Sequence, residues 1–451
     1  MKFIQQLFGS ENNEAVVIGA DVIHPSAKGG ASLVQPSVAA VVCSVDKFVS
    51  QWAHCVRAQC NEYGRSAACE QIGTAEGPLF KEMFDVCMKS WREWRGADPQ
   101  KLPPRHVIIL RDGVSNEQIT SVVDAEIAQI KDWYREEAAK LGMKNPETFV
   151  KGMYFTVVIV QKRHNTRIFT GVPLADAEEE EDERGGGEEE ERGSVLGGSR
   201  PPSTRGPGSV AGSVRGGRGG RGGPRRGRGF QPNDLRAFGT DPQGGVQNPE
   251  PGTILDGEVE NLMLPPDTKS FWLCSHKSTI GTAHPALYII REDALLSASD
   301  PSKRIGLVDL QLLIYHLCHL SQRTSKAISY PVPAFYADML AEKATKHLWL
   351  ERFGWRSEAQ KLRRAQKGMG PLPAGAGGGF LSPEMGADGK ETEESKRQRP
   401  QRMQEATATL RRAAREHANA TLVKTIPRNC PEGFPTEGGI AQRTCGRTFF
   451  I

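Results

Sequence analysis

Two aspartates in this sequence directly follow short apolar segments that are typical of buried strands. Asp21 comes after Ala15–Ala20 (AVVIGA), and Asp112 follows His106–Leu110 (HVIIL) and Arg111. If the two strands are neighbours in one sheet, both carboxylates converge on one point. Such a pair could hold Mg²⁺, which prefers a few carboxylates together with water and phosphate oxygens. Taken alone, an aspartate after a strand is more often a turn or capping residue.

The elements that would position these aspartates alternate along the first third of the chain. The predicted strands are short and bounded by Pro, Gly or Asp. They are Ala15–Ala20, Val38–Val45, Trp52–Gln59, His106–Leu110 and Phe155–Val160. The predicted helices are Pro78–Trp94, with proline in its first turn, and Ser115–Leu141, capped by its serine. Strands followed by alternating helices indicate an α/β domain with a mixed sheet.

Regular structure is predicted again from Gly252 onwards. Phe271–Cys274 and Leu287–Ile290 are typical of strands. The predicted helices of this part are Val308–Arg323, Pro333–Leu350 and Gln404–Val423. Residues 365–400 are rich in Gly, Pro and charge, and they predict a loop.

Composition indicates that much of the chain cannot form a core. The 451 residues could hold roughly two or three domains, but only 38% are hydrophobic, and Gly and Pro make up about a sixth. No apolar run approaches the roughly 20 residues that span a bilayer, which excludes an integral membrane protein. The net charge of +4 is too small to indicate a nucleic-acid partner by itself. Nine scattered cysteines favour reduced thiols in the cytosol or nucleus.

The excess length is concentrated in one insertion. Acidic residues dominate Asp176–Glu191, and Arg200–Arg228 is rich in Gly, Ser and Pro with repeated Arg-Gly-Gly units. We therefore predict a disordered segment over 174–248, either a flexible linker or a non-specific RNA contact. It interrupts one domain, with parts at 14–173 and 249–427. Two interpretations of residues 428–451 stay open: a C-terminal extension, or an insertion before an apolar terminus at Phe449-Phe450-Ile451.

Several motifs, taken in order, resemble the PIWI domain of eukaryotic Argonaute proteins. They are Asp21-Val22-Ile23-His24-Pro25, Pro36–Val42, Arg111-Asp112-Gly113-Val114-Ser115, Gln161–Arg167 (QKRHNTR), Leu273–His276 (LCSH), Leu317-Cys318-His319 and Pro331–Asp338 (PVPAFYAD). The resemblance covers about 15–170 and 250–350 well, and 400–427 more loosely. It implies an α/β, RNase H-like fold with a mixed central sheet flanked by helices. It also implies cleavage of an RNA strand that is paired to a small guide RNA.

The resemblance also implies a set of four acidic metal ligands. Asp21 and Asp112 match the first and second catalytic aspartates of the family, and Asp338 matches a fourth ligand that is His or Asp in family members. The third is a glutamate, for which Glu62, Glu70 and Glu76 compete in a longer segment than usual. We choose Glu70, because Cys69-Glu70-Gln71-Ile72 best resembles the family pattern. Such a set would hold two Mg²⁺ ions about 4 Å apart, with Mn²⁺ as an alternative.

Contacts to the guide RNA carry over from the family at nine positions. They are Lys162, Arg163, His164, Arg167, Thr282, Arg323, Lys326, Ser329 and Lys343. Lys343 replaces a family arginine that reaches the 5′ phosphate of the guide, so the charge is kept and the bidentate fork is lost. Ile280, His284 and Ser321 stand where family members often carry Gln, Arg and Tyr, and those contacts are expected to be lost or rebuilt.

The expected partners are a small guide RNA and a complementary target RNA, in the cytoplasm and also in the nucleus, without a membrane. The N-terminal, PAZ and MID domains of the family are not expected here, since Asp21 lies so near the first residue. MID and PAZ domains or silencing proteins could act in trans. Two alternatives stay open: a small-RNA-binding silencing factor that does not cleave, and an Argonaute fragment that is inactive without MID and PAZ.

Overall fold

The structure is a computed structural model. It describes residues 15–25, 34–59, 70–73, 77–94, 102–169, 248–256, 264, 268–278, 281–293, 306–348, 351–367, 369, 372–373, 380–381 and 392–425. The predicted insertion over 174–248, except Asn248, and the predicted extension over 428–451 lie outside these residues. In this part of the chain, no helix is both long and apolar enough to cross a membrane.

The centre of the fold is an eight-stranded sheet in the order β3-β2-β1-β4-β5-β8-β7-β6. Its strands are β1 (Ala15–Ile23), β2 (Ser37–Ser44), β3 (Trp52–Gln59), β4 (His106–Asp112), β5 (Tyr154–Gln161), β6 (Thr253–Asp256), β7 (Lys269–Cys274) and β8 (Ala286–Asp293). All seven strands predicted from the sequence are confirmed. Among the strands of this sheet, only β6, a short and partly exposed edge strand, was not predicted.

The pairing of the strands makes the sheet mixed. β1 is antiparallel to β2 and parallel to β4, which is in turn parallel to β5. In the β1–β4 register, Ala20 pairs with Arg111, the residues that immediately precede the two aspartates. Asp21 and Asp112 therefore lie on neighbouring strands, which is the condition for their convergence, although β1 continues past Asp21 to Ile23. This topology, with helices on both faces, is the RNase H-like arrangement that the motifs implied.

Helices cover the two faces of the sheet. They are α1 (Leu79–Trp94), α2 (Ile119–Lys140), α3 (Pro146–Lys151), α4 (Leu307–Leu317), α5 (Val332–His347), α6 (Glu351–Gln366) and α7 (Glu393–Thr425). Along β1, Val16 and Ile18 pack into one core with α1 and α2, and Val17 packs into the other with α4 to α7. A strand buried on both faces reads as a continuous apolar run, as AVVIGA does.

Two predicted helix boundaries are wrong. Helix α4 ends at Leu317 and does not reach Arg323, because the chain turns back there and the Ile328 N–H donates to the Cys318 carbonyl at 2.9 Å. Helix α7 begins at Glu393, inside the predicted loop, and contains Pro400. Its first turns are held by the guanidinium of Arg399, which donates to the Ala365 carbonyl of α6 at 2.7 Å. Such tertiary contacts override the local loop composition.

The predicted serine cap of α2 is also wrong. A 3₁₀ turn over Asn116–Gln118 lies between Ser115 and the helix. The hydroxyl of Ser115 donates to the Gln118 side chain at 2.9 Å and caps no backbone N–H. The predicted loop over 365–400 further contains a short ladder of β9 (Leu372–Pro373) and β10 (Phe380–Leu381).

The first turn of α5 lies directly against β1 at Gly19. A Cβ atom at this position would lie 2.0 Å from the Pro333 carbonyl oxygen and 2.8 Å from the Ala334 nitrogen. Backbone atoms cannot yield as a flexible side chain does. Glycine at this position therefore allows the close approach of α5, the helix that carries Asp338.

We expect Gly19→Ala to lower the free energy of unfolding by about 2–3 kcal/mol, because β1 and α5 must separate. Urea denaturation followed by circular dichroism measures this loss. The matched control is Gly354→Ala in α6, where the added Cβ meets no atom within 4 Å. There alanine should be neutral or stabilising by up to about 1 kcal/mol. Equal stability of the two variants would contradict the close packing.

Candidate active site

The four acidic residues predicted as ligands line one cleft at the carboxyl end of the central strands. Asp21 lies near the end of β1, Asp112 is the last residue of β4, and Asp338 lies on α5. Glu70 comes from the segment between β3 and α1. The cleft has a volume of about 490 Å³ and includes all four of these side chains in its lining. Glu62 and Glu76 lie outside the described residues.

Burial and mutual repulsion set the electrostatics of the two strand aspartates. Asp21 is 6% exposed and Asp112 is 4% exposed. Burial, together with the charge of Asp112, raises the pKa of Asp21 to about 7. Burial also raises the pKa of Asp112 above its ordinary value, although Lys162 opposes the rise. A cation bound between these carboxylates would offset both the burial of their charges and the repulsion between them.

Glu70 and Asp21 both lie beside Gly113, which has no side chain. Gly113 has φ +84°, and a Cβ there would lie 3.2 Å from Asp21 Oδ1 and 3.4 Å from Glu70 Oε2. His24 holds the other Glu70 oxygen, with its Nε2 3.0 Å from Oε1, and its Nδ1 lies 2.8 Å from the Ser37 hydroxyl. A chain of side chains therefore runs from Ser37, at the start of β2, through His24 to Glu70.

A cradle of three side chains grips the backbone next to Glu70. The Gln59 amide donates to the Gln71 carbonyl at 3.1 Å and accepts from the Gly73 N–H at 3.3 Å. From α2, Glu126 accepts the Ile72 N–H at 3.0 Å, and the Gln129 amide donates to the Ile72 carbonyl at 2.9 Å. The backbone beside Glu70 is thus held from both sides.

Arg111 connects this cradle to the cleft. Its guanidinium is completely buried and donates to the Glu70 carbonyl, to the Asp112 carbonyl at 2.5 Å and to the Glu126 carboxylate at 3.3 Å. No role was predicted from the sequence for Arg111, Glu126 or the two glutamines. One signal was available: Glu126 lies on the apolar stripe of α2, where a charge requires a buried partner.

Lys162, predicted to contact RNA, lies inside the acidic cluster, which is the set of Asp21, Glu70, Asp112 and Asp338. Its Nζ is 2.6 Å from Asp112 Oδ2 and 2.7 Å from Asp338 Oδ2. The same group donates to the Tyr330 hydroxyl at 2.8 Å, and that hydroxyl donates to Asp338 at 3.1 Å. Although burial opposes it, the charge of Asp112 raises the pKa of Lys162 above its ordinary value. The ammonium group therefore stays charged and bridges two predicted ligands.

The other predicted RNA contacts after β5 divide into two kinds. Arg163 lines the cleft. His164 instead donates from Nε2 to the Pro285 carbonyl at 2.7 Å and packs edge-on against Trp272. Burial lowers the pKa of His164 below its ordinary value, so the ring is a neutral support for this segment. Arg167 donates to the His164 carbonyl at 3.2 Å.

The remaining predicted RNA contacts lie away from the cleft lining. Thr282, Arg323 and Lys326 are exposed, and Ser329 and Lys343 are half-buried. Among the positions where the family pattern is broken, His284 is exposed and Ser321 is buried. Ile280 lies outside the described residues.

A family model of the Piwi domain matches residues 4–176 and 230–349 of this chain. The chain belongs to the Piwi domain family. This confirms the resemblance to Argonaute proteins on which the motifs were interpreted. The matched ranges include Asp21, Glu70, Asp112 and Asp338, and they exclude most of the predicted insertion.

Relatives of this Piwi domain include two rice proteins, from Oryza sativa subsp. japonica. Protein argonaute 2 is 29% identical over 324 residues, which are 72% of this chain and 21% of that protein. Protein argonaute 3 is 28% identical over 326 residues, which are 72% of this chain and 20% of that protein. The chain therefore spans about a fifth of the length of these relatives.

Similar solved structures are also Argonaute proteins. The C-terminal lobe of a budding yeast Argonaute is 19% identical, with a TM-score of 0.44 over 76% of this chain and 50% of that one. Kluyveromyces polysporus Argonaute with a guide RNA is 20% identical, with a TM-score of 0.46 over 76% of this chain and 28% of that one.

The donor set of this Piwi domain fits Mg²⁺ in its chemistry. Carboxylate oxygens are the protein ligands that this ion prefers, and the cleft presents four of these groups. In this structure, however, the carboxylates are not arranged around a common metal position. Within the described ranges, no group of three or more His, Cys, Asp or Glu side chains is placed to hold a metal ion. The ammonium group of Lys162 bridges two of the carboxylates.

Proposed function

We propose that this Piwi domain cleaves an RNA strand that is paired to a small guide RNA, with Mg²⁺ as cofactor and Mn²⁺ as an alternative. The observation that carries the proposal is the convergence of Asp21, Glu70, Asp112 and Asp338 in one cleft. Bound there, the metal would activate a water molecule and stabilise the leaving oxygen of the phosphodiester. Gene silencing directed by the guide is the corresponding biological role, in the cytoplasm and also in the nucleus.

The side chains of this chain have distinct parts in the proposed reaction. Asp21 and Asp112 are held rigidly by neighbouring strands, and their burial strengthens attraction for a cation. His24 orients Glu70, and Arg111 holds the backbone that carries it. Asp338 completes the set from α5, and its Oδ2 contacts the same ammonium group of Lys162 as Asp112 Oδ2 does.

Positive side chains are proposed to hold the nucleic acid outside the acidic cluster. Arg163 lies in the cleft lining, and Arg323 and Lys326 are exposed, where they can neutralise backbone phosphates. One similar structure contains a guide RNA, and the structure of Clostridium butyricum Argonaute contains a guide DNA and a target DNA. By analogy, the proposed partners are a guide RNA and its target, with MID and PAZ domains or silencing proteins in the same assembly.

The test is cleavage of a 5′-labelled RNA complementary to a 5′-phosphorylated guide. The full chain is assayed with and without a MID domain added in trans, in Mg²⁺ or in EDTA. We expect one major product that requires guide complementarity and Mg²⁺. Guide-dependent retention of the target without a Mg²⁺-dependent product would instead favour a silencing factor that does not cleave. A chain that neither retains the target nor cleaves it would be an inactive fragment.

His24→Ala is expected to lower the single-turnover cleavage rate by about 10–100-fold, because Glu70 loses the group that orients it. Rates are measured with saturating guide and Mg²⁺. The control is His347→Ala, an exposed residue at the end of α5, which should leave the rate unchanged. Equal rates for His24→Ala and the unmodified protein would show that this orientation is not needed.

A further inference from the structure

One cationic side chain occupies the place between two of the proposed ligands. We propose that Lys162 is a resident counter-cation of the acidic cluster, which a divalent metal ion must displace from Asp112 and Asp338 in order to bind. The inference rests on the proposed function, because it takes these two aspartates as ligands. It adds a competition for the metal site that is built into the chain itself.

The distances show that one position between two carboxylate oxygens cannot hold both cations. Nζ of Lys162 lies 2.6 Å from Asp112 Oδ2 and 2.7 Å from Asp338 Oδ2. Mg²⁺ binds oxygen at about 2.0–2.1 Å, so an ion bridging the same two atoms would nearly coincide with the ammonium nitrogen. Overlap and like charge therefore prevent the ammonium group and the ion from sharing that position. Metal binding at these oxygens therefore requires Nζ to move.

The structure also shows what keeps the amino group in place. Tyr330 accepts a hydrogen bond from Nζ at 2.8 Å, and its ring centroid lies 4.1 Å from the same atom. Its hydroxyl donates to Asp338 at 3.1 Å, which ties the tyrosine to the same cluster. Both ion-pair distances are those of charge-assisted hydrogen bonds. The side chain of Lys162 is only 18% exposed.

Release of the amino group needs no movement of the backbone. The lysine stem has four rotatable bonds, so Nζ can leave while β5 stays paired. The neighbouring Gln161 is anchored separately, since its amide donates to the Val114 carbonyl at 3.0 Å and to Asn116 Oδ1 at 2.8 Å. Lys162 can therefore exchange with a metal ion by a change of rotamer alone.

Mn²⁺ binding to the full chain tests the proposal without any measurement of cleavage. Free Mn²⁺ is followed by electron paramagnetic resonance during titration of EDTA-treated, dialysed protein. We expect Lys162→Met to bind Mn²⁺ at least about tenfold more tightly than the unmodified protein, because a competitor with two charge-assisted hydrogen bonds is removed. Tyr330→Phe should tighten binding by a smaller factor, because it loosens the same lysine.

Arg163→Met is the matched control for long-range repulsion. Arg163 lines the same cleft, so its loss removes one positive charge without touching the bridge between the aspartates. We expect a change of no more than about twofold. An equal effect of Arg163→Met and Lys162→Met, or weaker Mn²⁺ binding by Lys162→Met, would overturn the proposal.

Thermal unfolding separates displacement from an ordinary structural role. In EDTA, Lys162→Met should melt at a lower temperature than the unmodified protein, because Asp112 and Asp338 then repel each other. Saturating Mn²⁺ should remove most of this difference, whereas a purely structural lysine would leave it intact. Lys162→Gln, which keeps hydrogen-bond donors, serves if Lys162→Met does not fold. Tight Mn²⁺ binding without RNA cleavage would reject only the proposed function.

Discussion

Asp112→Asn is expected to lower the rate of guide-directed RNA cleavage by about 10³-fold or more. The substitution keeps the shape of the side chain and the oxygen that accepts the Gly113 N–H at 2.8 Å, but it removes one of the two most buried charges of the cleft. Metal ions contribute several kcal/mol of charge stabilisation in such reactions. Loss of about 4 kcal/mol corresponds to a factor of about 10³ in rate.

The measurement is single-turnover cleavage at several Mg²⁺ concentrations, together with a thermal melt. We expect the variant to stay folded, because burial already makes the charged form of Asp112 costly, as its raised pKa shows. Asp124→Asn is the control, since Asp124 lies on the exposed face of α2. A folded Asp112→Asn protein that cleaves as fast as Asp124→Asn would refute the assignment of the active site.

Glu126→Ala is expected to lower the free energy of unfolding by about 3–5 kcal/mol, the cost of leaving a buried charge without its partner. The Arg111 guanidinium is completely buried, and Glu126 is 4% exposed. Burial raises the pKa of Glu126, and Arg111 offsets part of that rise. The variant also leaves the Ile72 N–H without its acceptor, which loosens the backbone beside Glu70.

Urea denaturation measures the loss, and two further variants identify its source. Glu136 lies on the same helix, and its side chain, which is 55% exposed, pairs with Lys81. Glu136→Ala removes this surface ion pair and should lower the free energy of unfolding by about 0–1 kcal/mol. Glu126→Gln keeps an acceptor for Ile72, so its loss should lie between the two. If Glu126→Ala and Glu136→Ala proved equally stable, the buried pair would not support the cradle.

Local pattern was sufficient for most of the sheet. The segments around Val17, Val41 and Ile108 are buried on both sides, so each reads as an apolar run regardless of its neighbours. The helix ends were less accessible, because they depend on distant contacts. Arg399 extends α7 by reaching α6, and the end of α4 follows the turn that brings Ile328 back to Cys318.

By itself, the sequence determined the Piwi family, and its motifs marked the four acidic candidates and their order along the chain. Asp21 and Asp112 follow recognisable strands, so their convergence needs only the pairing of β1 with β4. These properties are local or are carried by short motifs, so they can be recognised without knowing how the helices and strands pack.

Only the tertiary structure decided what surrounds those donors. It brought Glu70 into the cleft through His24 and the cradle, and it placed Lys162 against Asp338, which is 176 residues away in the chain. A basic residue after a strand predicts a phosphate contact equally well wherever its side chain points. Its position among the carboxylates depends on the packing of α5 against β1, which no local pattern encodes.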